Sequence, residues 1–215
     1  MRILILGATG RTGKLLLQEA LKQGYEVNIL VRDKAHVPQH PALTIFEGQP
    51  AEALLSKAMA GCEAILSALN ISRTSDFPWA KLRTPANFLS ATAGLIIRLA
   101  PQHNISRIIL TSASGTSDTR DHIPWWFKWV IDNSNVGVAY RDHEVQEQLF
   151  AASNLNYTIV RPVGLVNSAK SKPVMVSINN MPKPHLTISR LGVAKFMLQV
   201  LKDGGYNRQM PVVSY

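Results

Sequence analysis

Ile3-Leu4-Ile5-Leu6-Gly7-Ala8-Thr9-Gly10-Arg11-Thr12-Gly13 is the stretch whose reading fixes the rest. Four aliphatic residues stop at a glycine, two more glycines follow at three-residue spacing, and an amphipathic run begins at once. A short apolar run bounded by glycine reads as a buried strand, and the residues from Gly13 to Gln23 read as a helix. The glycines between them have separate steric uses. One permits the tight reversal, one lets backbone approach a diphosphate without a Cβ, and one lets the helix sit against the strand. The helix start adds free N–H groups and the positive end of its dipole. A glycine-rich turn without a ligand is the plainer reading of the triplet alone; its place between strand and helix points to a dinucleotide.

Outward from this turn the same alternation repeats. Apolar runs at Val27–Val31, Leu43–Phe46, Ala64–Leu69, Ile108–Leu110 and Tyr157–Val160 alternate with helical stretches at Ala51–Ala60, Pro85–Leu99 and Arg141–Ser153. Crossovers of that length join parallel neighbours, because a hairpin turn cannot supply the return path. Gly24 and Gly61 read as helix stops, and Pro50 as the first turn of the second helix. The fold class is therefore α/β: a Rossmann-like, doubly wound parallel sheet flanked by helices, one domain over 1–215. Past Pro162 the pattern loosens into a small C-terminal elaboration, with Val174-Met175-Val176 as a short strand, a helix over Ser189–Lys202 and a last strand at Met210–Val213. Segments 71–82, 115–137 and 163–187 are expected to border a substrate.

Composition narrows the function classes. The single cysteine, Cys62, excludes a disulfide framework and a Cys-rich zinc site. The apolar run at the N-terminus ends at Gly7, too short for a secretory signal, and no run reaches the length of a membrane span. These features lead to the expectation of a cytoplasmic chain with no membrane role. Net charge is +9, and from Gln148 to Lys202 there is no carboxylate. Such a field draws small anions, while the dispersal of the basic residues argues against nucleic acid.

The end of the second strand selects the nucleotide. An NAD site places a carboxylate there for the ribose 2′-hydroxyl, whereas an NADP site meets a phosphate with arginine. Leu30-Val31-Arg32-Asp33 offers both; Arg32 makes a paired, planar phosphate contact, so NADP(H) is favoured, and Asp33 keeps NAD(H) open.

The G-x-x-G-x-x-G spacing resembles that of the atypical short-chain dehydrogenases/reductases. The resemblance runs through Gly24-Tyr25-Glu26-Val27 to Asp33, Thr111-Ser112-Ala113, Asp142-His143, Asn156 to Pro162, Ile188-Ser189-Arg190, Phe196-Met197-Leu198 and Tyr206 to Tyr215. Within that superfamily it is similar to the reductases of the biliverdin-IXβ and NADPH-dependent flavin type. The resemblance implies that Gly7, Ala8, Thr9, Gly10, Arg11, Thr12 and Gly13 hold the pyrophosphate and Arg32 the 2′-phosphate. It also implies that Leu69 and Asn70 line the ribose, that Thr111 and Ser112 flank the nicotinamide, and that Pro162 and Val163 lie near its carboxamide. Two positions depart from it. Gln49 stands where an acidic residue contacts adenine, so an amide contact is expected there. Val163-Gly164 stands where the bilin-reducing type has a histidine, so bilin reduction is not carried over.

Alcohol–ketone dehydrogenases of this superfamily use Tyr-x-x-x-Lys, in which the ammonium lowers the phenol pKa. Here the segment reads Tyr140-Arg141-Asp142-His143-Glu144, and a carboxylate at the last position acts in the opposite direction. Tyr157 and Arg161 lie four apart on a strand, roughly 13 Å, too far to act together. A conjugated acceptor such as a flavin or quinone takes hydride without that tyrosine, because the resulting anion is delocalised. Ser112 is the candidate catalytic hydroxyl; Ser112 and Ser114 equally serve to satisfy turn backbone. His143, read at a helix start, is either a proton shuttle or a structural residue. The histidines at 36, 40, 103, 122 and 185 lack ligand spacing, so no metal is expected. Phe77-Pro78-Trp79 and Pro124 to Trp129 read either as a wall for a flat acceptor or as core and subunit contact. The expected function is an NADPH-preferring reductase of a conjugated small molecule, monomeric or weakly self-associating. The alternative is a non-catalytic NADP(H)-binding redox sensor.

Overall fold

The computed structural model describes residues 1–35, 37–168 and 172–215; His36 and part of the 163–187 segment lie outside the described residues. The strands are β1 (Arg2–Leu6), β2 (Glu26–Val31), β3 (Leu43–Glu47), β4 (Ala64–Ser67), β5 (Arg107–Thr111) and β6 (Tyr157–Pro162), followed by β7 (Gly164–Val166), β8 (Met175–Ser177), β9 (Thr187–Ser189) and β10 (Val212–Ser214). The helices are α1 (Arg11–Lys22), α2 (Glu52–Met59), α3 (Phe88–Leu99), α4 (Trp125–Asn133), α5 (Val136–Ala152) and α6 (Arg190–Asp203). Eight strands form one sheet in the order β3-β2-β1-β4-β5-β6-β10-β8, and β7 pairs with β9 beside it. All neighbours in the large sheet are parallel except β8, which runs against β10. The chain winds outward from β1 to β3 and returns to β4, so the sheet reverses direction between β1 and β4, the place where such sheets hold ligands.

Successive strand residues face opposite sides, and both sides are covered. Ile3, Ile5, Val27 and Ile29 bury against Leu16 and Leu17 of α1 and Phe196 and Met197 of α6. Leu4, Leu6, Ile65 and Ile108 bury against Leu55 and Met59 of α2, Ile96 of α3 and Phe150 of α5. Covering both faces explains why the strands read as continuous apolar runs rather than alternating ones.

Two local expectations shift, and one small element is not read from the sequence. Pro50 lies just before α2, whose first turn follows Ala51. The α5 helix starts at Val136 instead of Arg141, which places His143 in its middle rather than at its start. The reason is Gly137: a Cβ there would lie 2.1 Å from the Ile131 carbonyl oxygen, so this glycine permits α4 to abut α5, while its low helix propensity hides the helix start. The small β7–β9 pair carries no periodic signal, since all three β7 residues are exposed. No helix among the described residues is long and apolar enough to cross a membrane.

Candidate functional site

At the carboxyl end of β1, Gly7 has φ +78°, and a Cβ on it would lie 2.8 Å from the Ala68 carbonyl carbon and oxygen. Gly13, in the first turn of α1, is tighter still: its Cβ would fall 1.9 Å from the Gly7 carbonyl oxygen. These two glycines let the turn press against β4 and α1 press against the turn. Ala8 is buried beneath it. The α1 helix begins at Gly10 with no side-chain cap and no acidic residue in its first turn, leaving its N–H groups to a ligand. The α6 helix differs, since Ser189 Oγ accepts a hydrogen bond from Gly192 N at 2.9 Å.

A groove of about 650 Å³ runs past this turn, lined by Gly7, Thr9, Gly10, Arg11 and Thr12, by Arg32 from the end of β2, and by Leu69 and Asn70 after β4. Asp33 turns away, its carboxylate accepting from Ala35 N at 2.8 Å, so the arginine faces the groove. Gln49 is exposed, between the lining residues Gly48 and Pro50. Sequence reasoning missed Arg73, Arg83 and Arg190, which also line the groove, and Asp76, which Arg11 grips through two hydrogen bonds of 2.9 and 2.8 Å. Those hydrogen bonds hold the Asp76 carboxyl below the usual range. Segment 71–82 thus borders this groove rather than the larger cavity. The Gly7 to Gly13 cradle, the open helix end and the arginines along the groove fit the diphosphate of a nicotinamide dinucleotide.

A second cavity of about 1010 Å³ adjoins the groove, and Asn70 and Leu165 line both. Ser112, Pro162 and Val163 line it, with Trp126, Phe127 and Tyr140 as its aromatic wall. Thr111 lines neither space; its carbonyl accepts from Gln146 Nε2 at 3.2 Å and its hydroxyl donates to the Ser67 carbonyl at 3.4 Å. The two aromatic segments divide. Phe77 and Trp79 stay outside the cavity, where Trp79 stacks edge-on against Trp129 and donates to the Asn133 carbonyl at 2.7 Å. Trp125 is 80% exposed.

One buried ion pair holds the cavity floor. Arg161 donates from Nε and Nη2 to the two Glu147 oxygens at 2.9 and 2.8 Å, and from Nη1 to Asp118 at 2.8 Å. Glu147 also accepts from Thr116 at 3.0 Å and Ser117 at 2.8 Å. Burial pushes the Glu147 carboxyl up, but hydrogen bonds from Arg161, with its charge, outweigh this and hold it below the usual range. The Ser112 hydroxyl is sealed from solvent and lies near Glu147 without a well-formed hydrogen bond. Tyr140 donates to the Ser114 carbonyl at 3.3 Å, and burial pushes its phenol up to about 12. Asp142 turns to α3, accepting from Leu89 N at 2.6 Å and Ser90 N at 3.2 Å. It caps a helix that lacks a cap of its own. His143 is buried and lines the cavity.

Known proteins share this architecture. A short-chain dehydrogenase/reductase of Veillonella parvula, solved in complex with NADP, superposes with a TM-score of 0.81 at 21% identity, covering 100% of this chain and 94% of that one. An anaerobilin reductase of Escherichia coli O157:H7 superposes with a TM-score of 0.79 at 20% identity, covering 100% and 97%. At such identities the likeness is one of fold. An oxidoreductase of Pestalotiopsis microspora is 27% identical over 176 residues, 75% of this chain; the match spans 66% of that protein's length. The sequence profile of the NAD(P)H-binding family extends from residue 7 to residue 204. With the glycine cradle at the reversal point of the sheet and that profile running almost its full length, the chain belongs to the NAD(P)H-binding family.

Proposed function

We propose that the protein is an oxidoreductase that prefers NADPH and passes hydride to a conjugated small-molecule acceptor, a flavin or quinone. One observation carries this reading: the arginine-lined groove adjoins, across Asn70 and Leu165, an aromatic-walled cavity large enough for a planar acceptor. The redox names of the Pestalotiopsis and Escherichia proteins agree with it. When bound, the nicotinamide supplies the hydride.

The chain's own residues bind, orient and exclude water. Gly7 to Gly13 and the α1 end take the diphosphate, and Arg32 takes the 2′-phosphate. Trp126, Phe127 and Tyr140 offer ring faces and edges to a flat acceptor. Tyr140, with its phenol pushed up to about 12, remains a neutral donor; with Glu144 one turn on, it is not the acid–base tyrosine of alcohol dehydrogenases.

The test is NADPH oxidation on addition of FMN, riboflavin or a quinone. Arg32→Ala is expected to weaken NADPH by about 10- to 100-fold and NADH little, the worth of a charge-assisted phosphate contact. Equal loss for both nucleotides would overturn the phosphate assignment, and no turnover with any acceptor would overturn the reductase.

A further inference from the structure

We propose that His143 is a further catalytic residue of this site. Its Nε2–H is the hydrogen-bond donor for the negative charge that hydride arrival places on the acceptor's conjugated oxygen or nitrogen. The inference rests on the reductase reading.

The geometry begins with Gln146, one turn further along α5. Its Nε2 lies 3.2 Å from the Thr111 carbonyl, which can only accept, so the amide NH₂ is on that side. The same NH₂ lies 3.4 Å from His143 Nδ1. With one amide proton on Thr111 and the other directed at the ring, Nδ1 is the acceptor and the ring proton sits on Nε2. Nε2 has no hydrogen-bond partner among the described residues. Whereas the hydroxyl oxygens of Ser112 and Ser177 are sealed, the imidazole lines the cavity beside Tyr140 with only 3% of its surface exposed.

The surroundings keep the ring neutral. Asp142 is spent on the first N–H groups of α3, and Glu147 is held by Arg161. Burial lowers the His143 pKa to about 4, although Glu147 and Asp142 both act to raise it. A neutral imidazole does not serve as the acid, since giving up Nε2–H would leave an imidazolate. It serves as a preorganised dipole, which costs no rearrangement as charge develops. The balance is simple. The acceptor gains one hydrogen and two electrons, the dihydronicotinamide leaves as the oxidised nucleotide, the acceptor's negative charge rests on Nε2–H, and water then supplies the proton.

The experiment uses the full chain with ¹⁵N-labelled histidine, NADPH as donor, and FMN or menadione as acceptor; the His143→Gln spectrum assigns the ring. The expected result is a proton on Nε2 at pH 7 and an Nε2 resonance that moves when acceptor is added. His143→Phe should lower kcat by about 100-fold, the worth of one lost oxyanion donor, while NADPH affinity stays within about twofold. His143→Gln, which still offers an N–H, should recover most of that loss. Gln146→Leu, which frees the tautomer, should lower kcat with little change in KM for NADPH, and it serves if His143→Phe does not fold. A proton on Nδ1, an Nε2 resonance indifferent to acceptor, or a folded His143→Phe variant without loss of kcat would overturn the proposal. If wild-type protein reduces no acceptor, the reductase reading falls, while the nitrogen spectrum still decides the tautomer and the cavity contact.

Discussion

The groove proposed for the nucleotide is made largely from the turns that leave β1, β2 and β4. The cavity beside it takes Ser112 from the end of β5, Trp126 from α4, His143 from α5, Arg161 from β6 and Ser177 from β8. The groove is held by backbone closeness, with glycine as the device. The cavity is held by buried side-chain charge and hydrogen bonds between elements distant in sequence. A site made of backbone fails when atoms are added, and a site made of buried charge fails when one partner is taken away.

That contrast can be broken in four ways. The largest expected effect is in the cavity: Arg161→Met leaves Glu147 buried without its partner and should cost about 3–5 kcal/mol in urea unfolding. Adding Glu147→Leu should recover most of it, because two apolar residues replace a buried pair at little cost. In the groove, Gly13→Ala drives a methyl into the Gly7 carbonyl. It should cost about 3 kcal/mol, the upper part of the overpacking range, and abolish the thermal shift on adding NADPH.

The third effect is a pH slope. Folded His143 refuses a proton down to about pH 4, while the unfolded residue accepts one near 6.5. The unfolded state binds more protons in that window, so stability falls as pH falls from 6.5 towards 4, by up to about 3 kcal/mol. His143→Gln should flatten that part of the curve. Glu147 adds its own loss at lower pH, where its depressed carboxyl finally protonates. The smallest effect is expected for Asp76→Asn. Its pair with Arg11 is exposed on both sides, so stability should change by no more than about 0.5 kcal/mol.

The same contrast explains what the sequence made legible. The turn from Gly7 to Gly13 and Arg32 at the end of β2 could be read because local spacing alone places them in the groove. Arg73, Arg83 and Arg190 could not, since they reach it through an irregular loop and a helix start that no periodicity links to β1. Glu147 and Arg161 are 14 residues apart, one on a helix and one on a strand, and nothing short of the parallel sheet brings them together. His143 looked like the start of a helix because Gly137 weakens the first turn of α5, and the role proposed for it depends on Gln146 and Thr111 meeting across two elements. The aromatic run Pro124 to Trp129 read either as a wall or as core and subunit contact; its helix sets Trp126 and Phe127 along the cavity, with Trp126 still 56% exposed, and leaves Trp125 and Trp129 outside it.

The far margin of the large sheet holds one more consequence. It ends in β8, three residues long and running opposite to its neighbour. Another polypeptide seeking to extend the sheet there would find barely one rung of free amides, in the wrong direction for the parallel ladder behind it. Natural sheets blunt a margin in this way to resist runaway stacking.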